Sequence, residues 1–329
     1  MDGPAAPAAG RTRLRGSIPR SLSAAAERPG RPRIDPTHLA GYLDRLGFAE
    51  RSLPPTSETL TALHRAHVER IAYECIDHHV PRRTPLAAAD SVGRLAGGRG
   101  GYCFHLNGAF GALLRHLGFG VTLHRADVQH TAGGPVEEGH HLALTVTAGG
   151  RAYLADVGLG DGLHDPLPLR PGRYTQGSFT FVLERTPGGW RFTNHERGSF
   201  RFFEFDEAPA RLPEDFAEIH EWFATSPESG FVRTLTAQRR DAEGFDVLRG
   251  CVLRRLDASG QREREIVSAE EWYAILTGLF GLDLSDLDAA TRRRLWARTW
   301  AAHERRRAAR AAAGQAAGGG MMADPSGES

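Results

Sequence analysis

The sequence predicts an α+β fold, because its hydrophobic period changes twice along the chain. Through the first third, apolar residues recur at three- and four-residue spacing, the pattern of helices packed on one side. Through the middle third, short β-rich runs alternate with glycine turns, which argues for an antiparallel sheet or barrel. The last third mixes both patterns.

Residues 1–33 are rich in Pro, Gly, Ala, Ser and Arg and carry little beyond Leu14, Ile18 and Leu22 to bury. That burial cannot offset the entropy of ordering, so a disordered arm is expected. Helices are expected across 34–120. Leu39, Leu43 and Leu46 share a face that Gly47 ends; Leu60, Leu63, His67 and Ile71 share another behind the capping residues Thr56 and Ser57. A short helix is expected over Leu86–Leu95, and Phe104, Phe110, Leu113, Leu114 and Leu117 repeat helically until Gly118. Across 121–224, strands are expected at Val121–Leu123, His141–Val146, Tyr153–Val157, Ser178–Leu183, Trp190–Thr193 and Phe200–Phe205. In 225–312 the strands are Phe231–Gln238 and Val247–Leu256, Ser268 and Glu271 form a capping box, and an Arg and Ala helix spans 291–312. Composition predicts disorder again in 313–329.

The 329 residues carry 41 basic and 40 acidic side chains, so net charge gives no reason to expect nucleic acid or an anionic membrane as partner. All the basic residues are arginine, which excludes Schiff-base, P-loop lysine and biotin chemistry. Cys75, Cys103 and Cys251 are odd in number and far apart, which points to a reducing cytoplasm and not to a disulfide framework. No apolar run approaches the roughly 20 residues of a membrane span, and the N-terminus lacks the apolar core of a secretory signal.

The sharpest local feature is Arg99-Gly100-Gly101-Tyr102-Cys103-Phe104-His105-Leu106-Asn107. Two glycines followed by a helix put Cys103 near unpaired amides and the positive end of a dipole, which favour a thiolate. A lone cysteine is also a common small core residue. A cysteine nucleophile needs a base, and the base needs an acceptor on its far nitrogen. In Gly139-His140-His141-Leu142-Ala143-Leu144-Thr145-Val146, alternation places Leu142, Leu144 and Val146 on one face with His140, and His141 on the other with Ala143 and Thr145. One register slip would exchange the two histidines. Asp156 closes an apolar strand one hairpin later, as either a turn former or a buried acceptor.

In order and spacing, RGGYCF…N, HHLALTV and DVGLG resemble the arylamine N-acetyltransferase family, as do His67–Asp77 upstream and Thr225-Ser226-Pro227-Glu228-Ser229-Gly230-Phe231 downstream. The resemblance implies an N-terminal helical bundle, a central antiparallel β-barrel and a C-terminal α/β lid. It implies a Cys103, His141 and Asp156 triad that moves an acetyl group from acetyl-CoA to an arylamine, arylhydrazine or hydroxyarylamine through an acyl-cysteine. It implies donor contacts at Gly158, Gly160, Thr225 and Ser226, an acceptor pocket at Tyr73 and Leu159, and a structural Glu74–Arg99 ion pair. The chain departs from the family pattern at Ala72, Cys75, His105, Leu159 and Asp161. The pocket departures motivate an alternative, an amide synthase using the same triad on a carrier-bound acyl chain.

Other signals carry less. Gly158, Gly160 and Gly162 lack the βαβ setting of a dinucleotide loop. His78 and His79 beside Cys75 read as loop histidines, so no metal is expected. No G-x-S-x-G occurs. The arginines of 292–310 read as a solvated helix, not an RNA site.

Overall fold

The computed structural model describes residues 34–319; the expected arm, 1–33, and residues 320–329 of the expected tail lie outside them. Four helices open the fold: α1 (Pro36–Leu46), α2 (Ser57–Arg70), α3 (Ala88–Ala96) and α4 (Cys103–His116), with β1 (Tyr73–Glu74) between α2 and α3. Asp35 caps α1 by accepting from Thr37 N at 2.8 Å, and Gly47 ends it in the left-handed region at φ 85°. Thr56 caps α2 through Thr59 N at 3.2 Å. The leucine faces read from the sequence meet in one cluster, where Leu39, Leu43, Leu46, Leu60, Leu63, Leu95, Phe110 and Leu113 are all buried.

The next eight strands form one antiparallel sheet. They are β2 (Gly120–Gln129), β3 (Val136–Ala148), β4 (Arg151–Leu154), β5 (Leu167–Pro168), β6 (Gly172–Gln176), β7 (Phe179–Thr186), β8 (Gly189–Thr193) and β9 (Phe202–Phe205), in the order β5-β4-β3-β2-β9-β8-β7-β6. The sheet curls into a nearly closed barrel. Near its two edge strands, Gln176 fastens the 164–165 segment, accepting from His164 N at 2.8 Å and donating to Asp165 O at 2.8 Å. Phe179, Phe181, Leu183, Trp190, Phe192, Phe203 and Phe205 pack together with Ala143 in a second cluster. Strand alternation splits β3 between two cores: Leu142, Leu144 and Val146 join the helical cluster, and Ala143 joins the barrel cluster.

The remainder comprises α5 (Ala217–Thr225), α6 (Gly230–Arg233), β10 (Thr236–Arg240), β11 (Phe245–Arg249), β12 (Val252–Asp257), β13 (Gly260–Glu265), α7 (Ala269–Ala274), a π-turn over Ile275–Leu279 and α8 (Ala289–Gly319). Strands β10 to β13 and β1 make a second sheet, ordered β1-β10-β11-β12-β13. Leu235, Ala237 and Leu248 share a third cluster with Trp272, Leu276 and Leu295.

Several expected elements differ. The run from Phe231 is a helical turn before it is a strand, because buried Ser229 accepts from Phe231 N at 3.2 Å and donates to Phe223 O at 2.9 Å. Val247–Leu256 is a hairpin, turned at Gly250 with φ 61°. Ser268 does accept from Glu271 N at 3.2 Å, but the Glu271 carboxylate pairs with Arg264 and so completes no box. Helix α8 runs past Gly314 to Gly319, where composition predicted disorder; a single glycine weakens a helix without ending it.

Candidate active site

Cys103 is the first residue of α4, and it is 4% exposed. The loop leading to it lies against β1: a Cβ on Gly100 would sit 2.1 Å from the Ala72 carbonyl oxygen, so only glycine fits there. That approach lets Glu74 N donate to Gly101 O at 2.8 Å, which fixes where α4 begins.

His141 comes from β3 and Asp156 from the segment just after β4, each 1% exposed. Their hydrogen bond joins His141 Nε2 to Asp156 Oδ2 at 2.6 Å. Cys103 lies close enough to the ring to help hold its charge. Burial opposes a charge on His141, but the Asp156 carboxylate, through charge and hydrogen bond, together with Cys103, holds the imidazolium up to about 10. Cys103 therefore sits at a helix N-terminus in the neighbourhood of that imidazole. His140 takes the opposite face, as strand parity predicts: its Nδ1 lies 2.8 Å from Glu137 Oε2 and its ring packs on Phe223. Its backbone carbonyl accepts from Cys103 Sγ at 3.8 Å.

The acceptor is itself held. Asp156 Oδ1 accepts from Gly158 N at 2.9 Å and from Asn107 Nδ2 at 2.8 Å. Asn107 stands one turn beyond Cys103 on α4. Its amide also donates to Leu142 O at 2.5 Å and accepts from Val157 N at 2.9 Å. One buried side chain therefore joins the cysteine helix, the histidine strand and the aspartate turn. Asn107 lies within the cysteine motif, and its i+4 spacing from Cys103 is the one local signal of this role in the sequence. His64 of α2 was also missed; its Nε2 lies 3.2 Å from Asp156 O, and burial lowers its titration to about 4.

Gly158 packs directly on the nucleophile, since a Cβ there would lie 2.9 Å from Cys103 Cα and 2.5 Å from Asn107 Nδ2. Gly160 packs on Gln238 and Tyr73, since a Cβ there would lie 2.2 and 3.1 Å from their Cβ atoms. Tyr73 is half-buried; burial first, then the charge of Cys103, pushes its phenol well above the usual range. Leu159 packs against the barrel cluster. Thr225 and Ser226, at the end of α5, bond within their own segment: Thr225 Oγ1 donates to Glu221 O at 2.8 Å and Ser226 Oγ accepts from Glu228 N at 3.2 Å. Among the described residues, no hydrogen bond ties those two to the cysteine.

The Glu74–Arg99 pair is part of a larger buried network. Glu74 Oε1 lies 3.4 Å from Arg99 Nη2 but 2.6 Å from Arg94 Nη2, and Asp77 joins Arg99 at 2.9 Å and also Arg94. Burial raises the Glu74 carboxyl, yet the two arginines overcome this and hold it down to about 2. The network braces β1, α3 and the cysteine loop. Among the described residues, no cluster of His, Cys, Asp and Glu could hold a metal ion.

Residues 56–289 match the N-acetyltransferase family model. The arylamine N-acetyltransferase of Mycolicibacterium smegmatis is 31% identical over 76% of this chain and 93% of its own length. The arylamine N-acetyltransferase / N-hydroxyarylamine O-acetyltransferase of Salmonella typhimurium is 30% identical over 76% and 90%. Among solved structures, the Mycobacterium marinum arylamine N-acetyltransferase in complex with CoA superposes with TM-score 0.69 and 29% identity, over 79% of this chain and 98% of that one. Fold, motif order and these likenesses agree: the chain belongs to the arylamine N-acetyltransferase family.

Proposed function

We propose that the protein moves an acetyl group from acetyl-CoA to an arylamine, arylhydrazine or hydroxyarylamine through an acyl-Cys103 intermediate, with His141 as acid and base and Asp156 as its anchor. The observation that carries this reading is the buried His141, bonded to Asp156 at 2.6 Å, with Cys103 at the start of α4 placing its Sγ 3.8 Å from the carbonyl oxygen of the residue before that histidine. In the first half, the Cys103 thiolate attacks the thioester carbonyl; the new S–C bond forms, the bond to CoA sulfur breaks, and the imidazolium protonates the departing thiolate. In the second half, the amine attacks the acyl-cysteine, His141 takes its proton and the thiolate is restored. Asp156 keeps the ring oriented and stabilises its charged form.

Gly158 and Gly160 border the donor channel in this reading, because neither leaves room for a side chain beside Cys103 or Tyr73. Thr225 and Ser226 are assigned to the outer part of the donor, and Tyr73 and Leu159 to the acceptor pocket. Three segments, 34–120, 121–224 and 225–312, are proposed as bundle, barrel and lid, supported by three apolar clusters. All three cysteines are free and buried, which supports a cytoplasmic location, and no described helix is long and apolar enough to cross a membrane.

Incubation with acetyl-CoA alone should leave an acetyl adduct on Cys103, which an aniline or hydrazine then removes as its acetylated product. Cys103→Ala should do neither. A wild-type protein that takes no acetyl group on Cys103 would overturn the reading.

A further inference from the structure

Between α8 and the Val232–Leu235 segment lies a cleft of about 390 Å³. Arg298, Arg305 and Arg306 enter it from one face of α8, since positions 298, 302, 305, 306 and 309 follow helical spacing, and Arg233 enters from the facing wall. Two contacts tie the walls together: Arg306 Nη1 donates to Thr234 Oγ1 at 3.1 Å and Arg298 Nη2 to Val232 O at 3.4 Å. No acidic side chain lines the cleft among the described residues. The neighbouring acid, Glu265, is engaged outside that lining by His303 at 2.7 Å and Arg307 at 3.3 Å. His79, also in the lining, is lowered to about 4 by burial and by the charge of Arg298, so its ring is neutral; its Nε2 has no hydrogen-bond partner.

Four arginines thus line one concavity in a chain whose formal net charge is only +1. Arg233, Arg298 and Arg305 are exposed and Arg306 is half-buried, so the cleft is open to solvent, with a loop, a hairpin turn at Gly250 and α8 forming its walls. Guanidinium groups match phosphate oxygens bidentately, and several together call for a multiply charged anion. The volume falls at the small-molecule end of ligand pockets and fits a compact ligand, not a polymer.

We propose that this cleft is a phosphate-recognition site, separate from the acyl-transfer centre, that takes a compact polyphosphorylated ligand such as a nucleoside diphosphate. The nucleotide end of CoA carries the same chemistry. One residue from the wall, Phe231 packs with its ring centroid 5.3 Å from that of Tyr102, which precedes Cys103. Only this donor source rests on the acyl-transfer reading above.

The test is calorimetric titration of the full chain with ADP and with inorganic pyrophosphate at low salt, for wild type and the Arg298→Glu/Arg305→Glu double variant. Both ligands should bind the wild type, and the double variant should bind them at least about tenfold more weakly. A matching rise in KM for acetyl-CoA, with acetyl transfer from p-nitrophenyl acetate unchanged, identifies the donor's nucleotide end as the ligand. Binding with KM unchanged identifies a free nucleotide. No binding, equal binding by the variant, or binding of single-stranded RNA but not ADP overturns the proposal. Loss of p-nitrophenyl acetate turnover in the wild type would instead count against the acyl-transfer reading and leave the titration result standing.

Discussion

Replacing Asn107 tests whether one side chain couples the three parts of the site. Asn107→Ala deletes three buried hydrogen bonds, to Leu142 O, Asp156 Oδ1 and Val157 N. Each buried group left without its partner costs about 1–3 kcal/mol. Asp156 Oδ1 keeps its bond from Gly158 N, so the total should fall near 3–6 kcal/mol, a large share of the ~5–15 kcal/mol that holds a domain folded. The measurement is urea unfolding at constant m-value. Because the alanine variant could fail to fold, Asn107→Asp provides the second arm. It keeps the shape and the acceptor for Val157 N but sets a carboxylate where an amide donated to Asp156 at 2.8 Å. Two carboxylates that close must share a proton, which weakens the hold on His141. The kcat/KM for acetyl transfer should then fall by roughly 10²-fold or more. A folded alanine variant destabilised by less than about 1 kcal/mol, or an aspartate variant with wild-type kcat/KM, would refute the coupling.

Asp156→Asn should stay folded while acetyl transfer drops by roughly 10³–10⁴-fold, read as kcat/KM beside an unchanged circular dichroism spectrum. Gly158→Ala should lower kcat/KM about 10²-fold with modest loss of stability, because its Cβ would meet Cys103 Cα at 2.9 Å. Arg94→Met leaves Glu74 with Arg99 alone, at 3.4 Å, and Asp77 with Arg99 at 2.9 Å and Arg82 at 3.9 Å; an unfolding loss of about 3–5 kcal/mol is expected, and a neutral result would contradict the network. The folded titration of His141, about 10, lies above the 6.5 usual for an imidazole. Its contribution is therefore complete below about 6.5 and lost as pH rises toward 10, so wild type should lose stability relative to His141→Gln across that window. A difference that grows with pH would reverse the sign.

Local patterns carried far in this chain because they report local physics. The leucine spacings of α1 and α2 named the faces that meet in the helical core, and their caps stood where Thr56 and Gly47 predicted. Period-2 alternation separated His141 from His140, because adjacent strand residues must point to opposite faces. The same patterns failed where a distant contact decided. Phe231 is a good strand residue, yet its turn is helical because Ser229 bonds across to Phe223. Helix α5 was missed, its short and mixed segment being buried mainly through Phe223.

By itself, the sequence determined a helical first third followed by a sheet, the cysteine at a helix start, and a histidine strand, although the aspartate it placed on the next strand lies just past the end of β4. Only the tertiary structure decided what holds those groups together. Asn107 acquires its role from Leu142 and Val157, 35 and 50 residues away, and Arg94, not Arg99, is the nearer partner of Glu74. The physical reason is that period and propensity act between neighbours along the chain, whereas buried hydrogen bonds and ion pairs join whatever the packed cores bring within 3 Å or so.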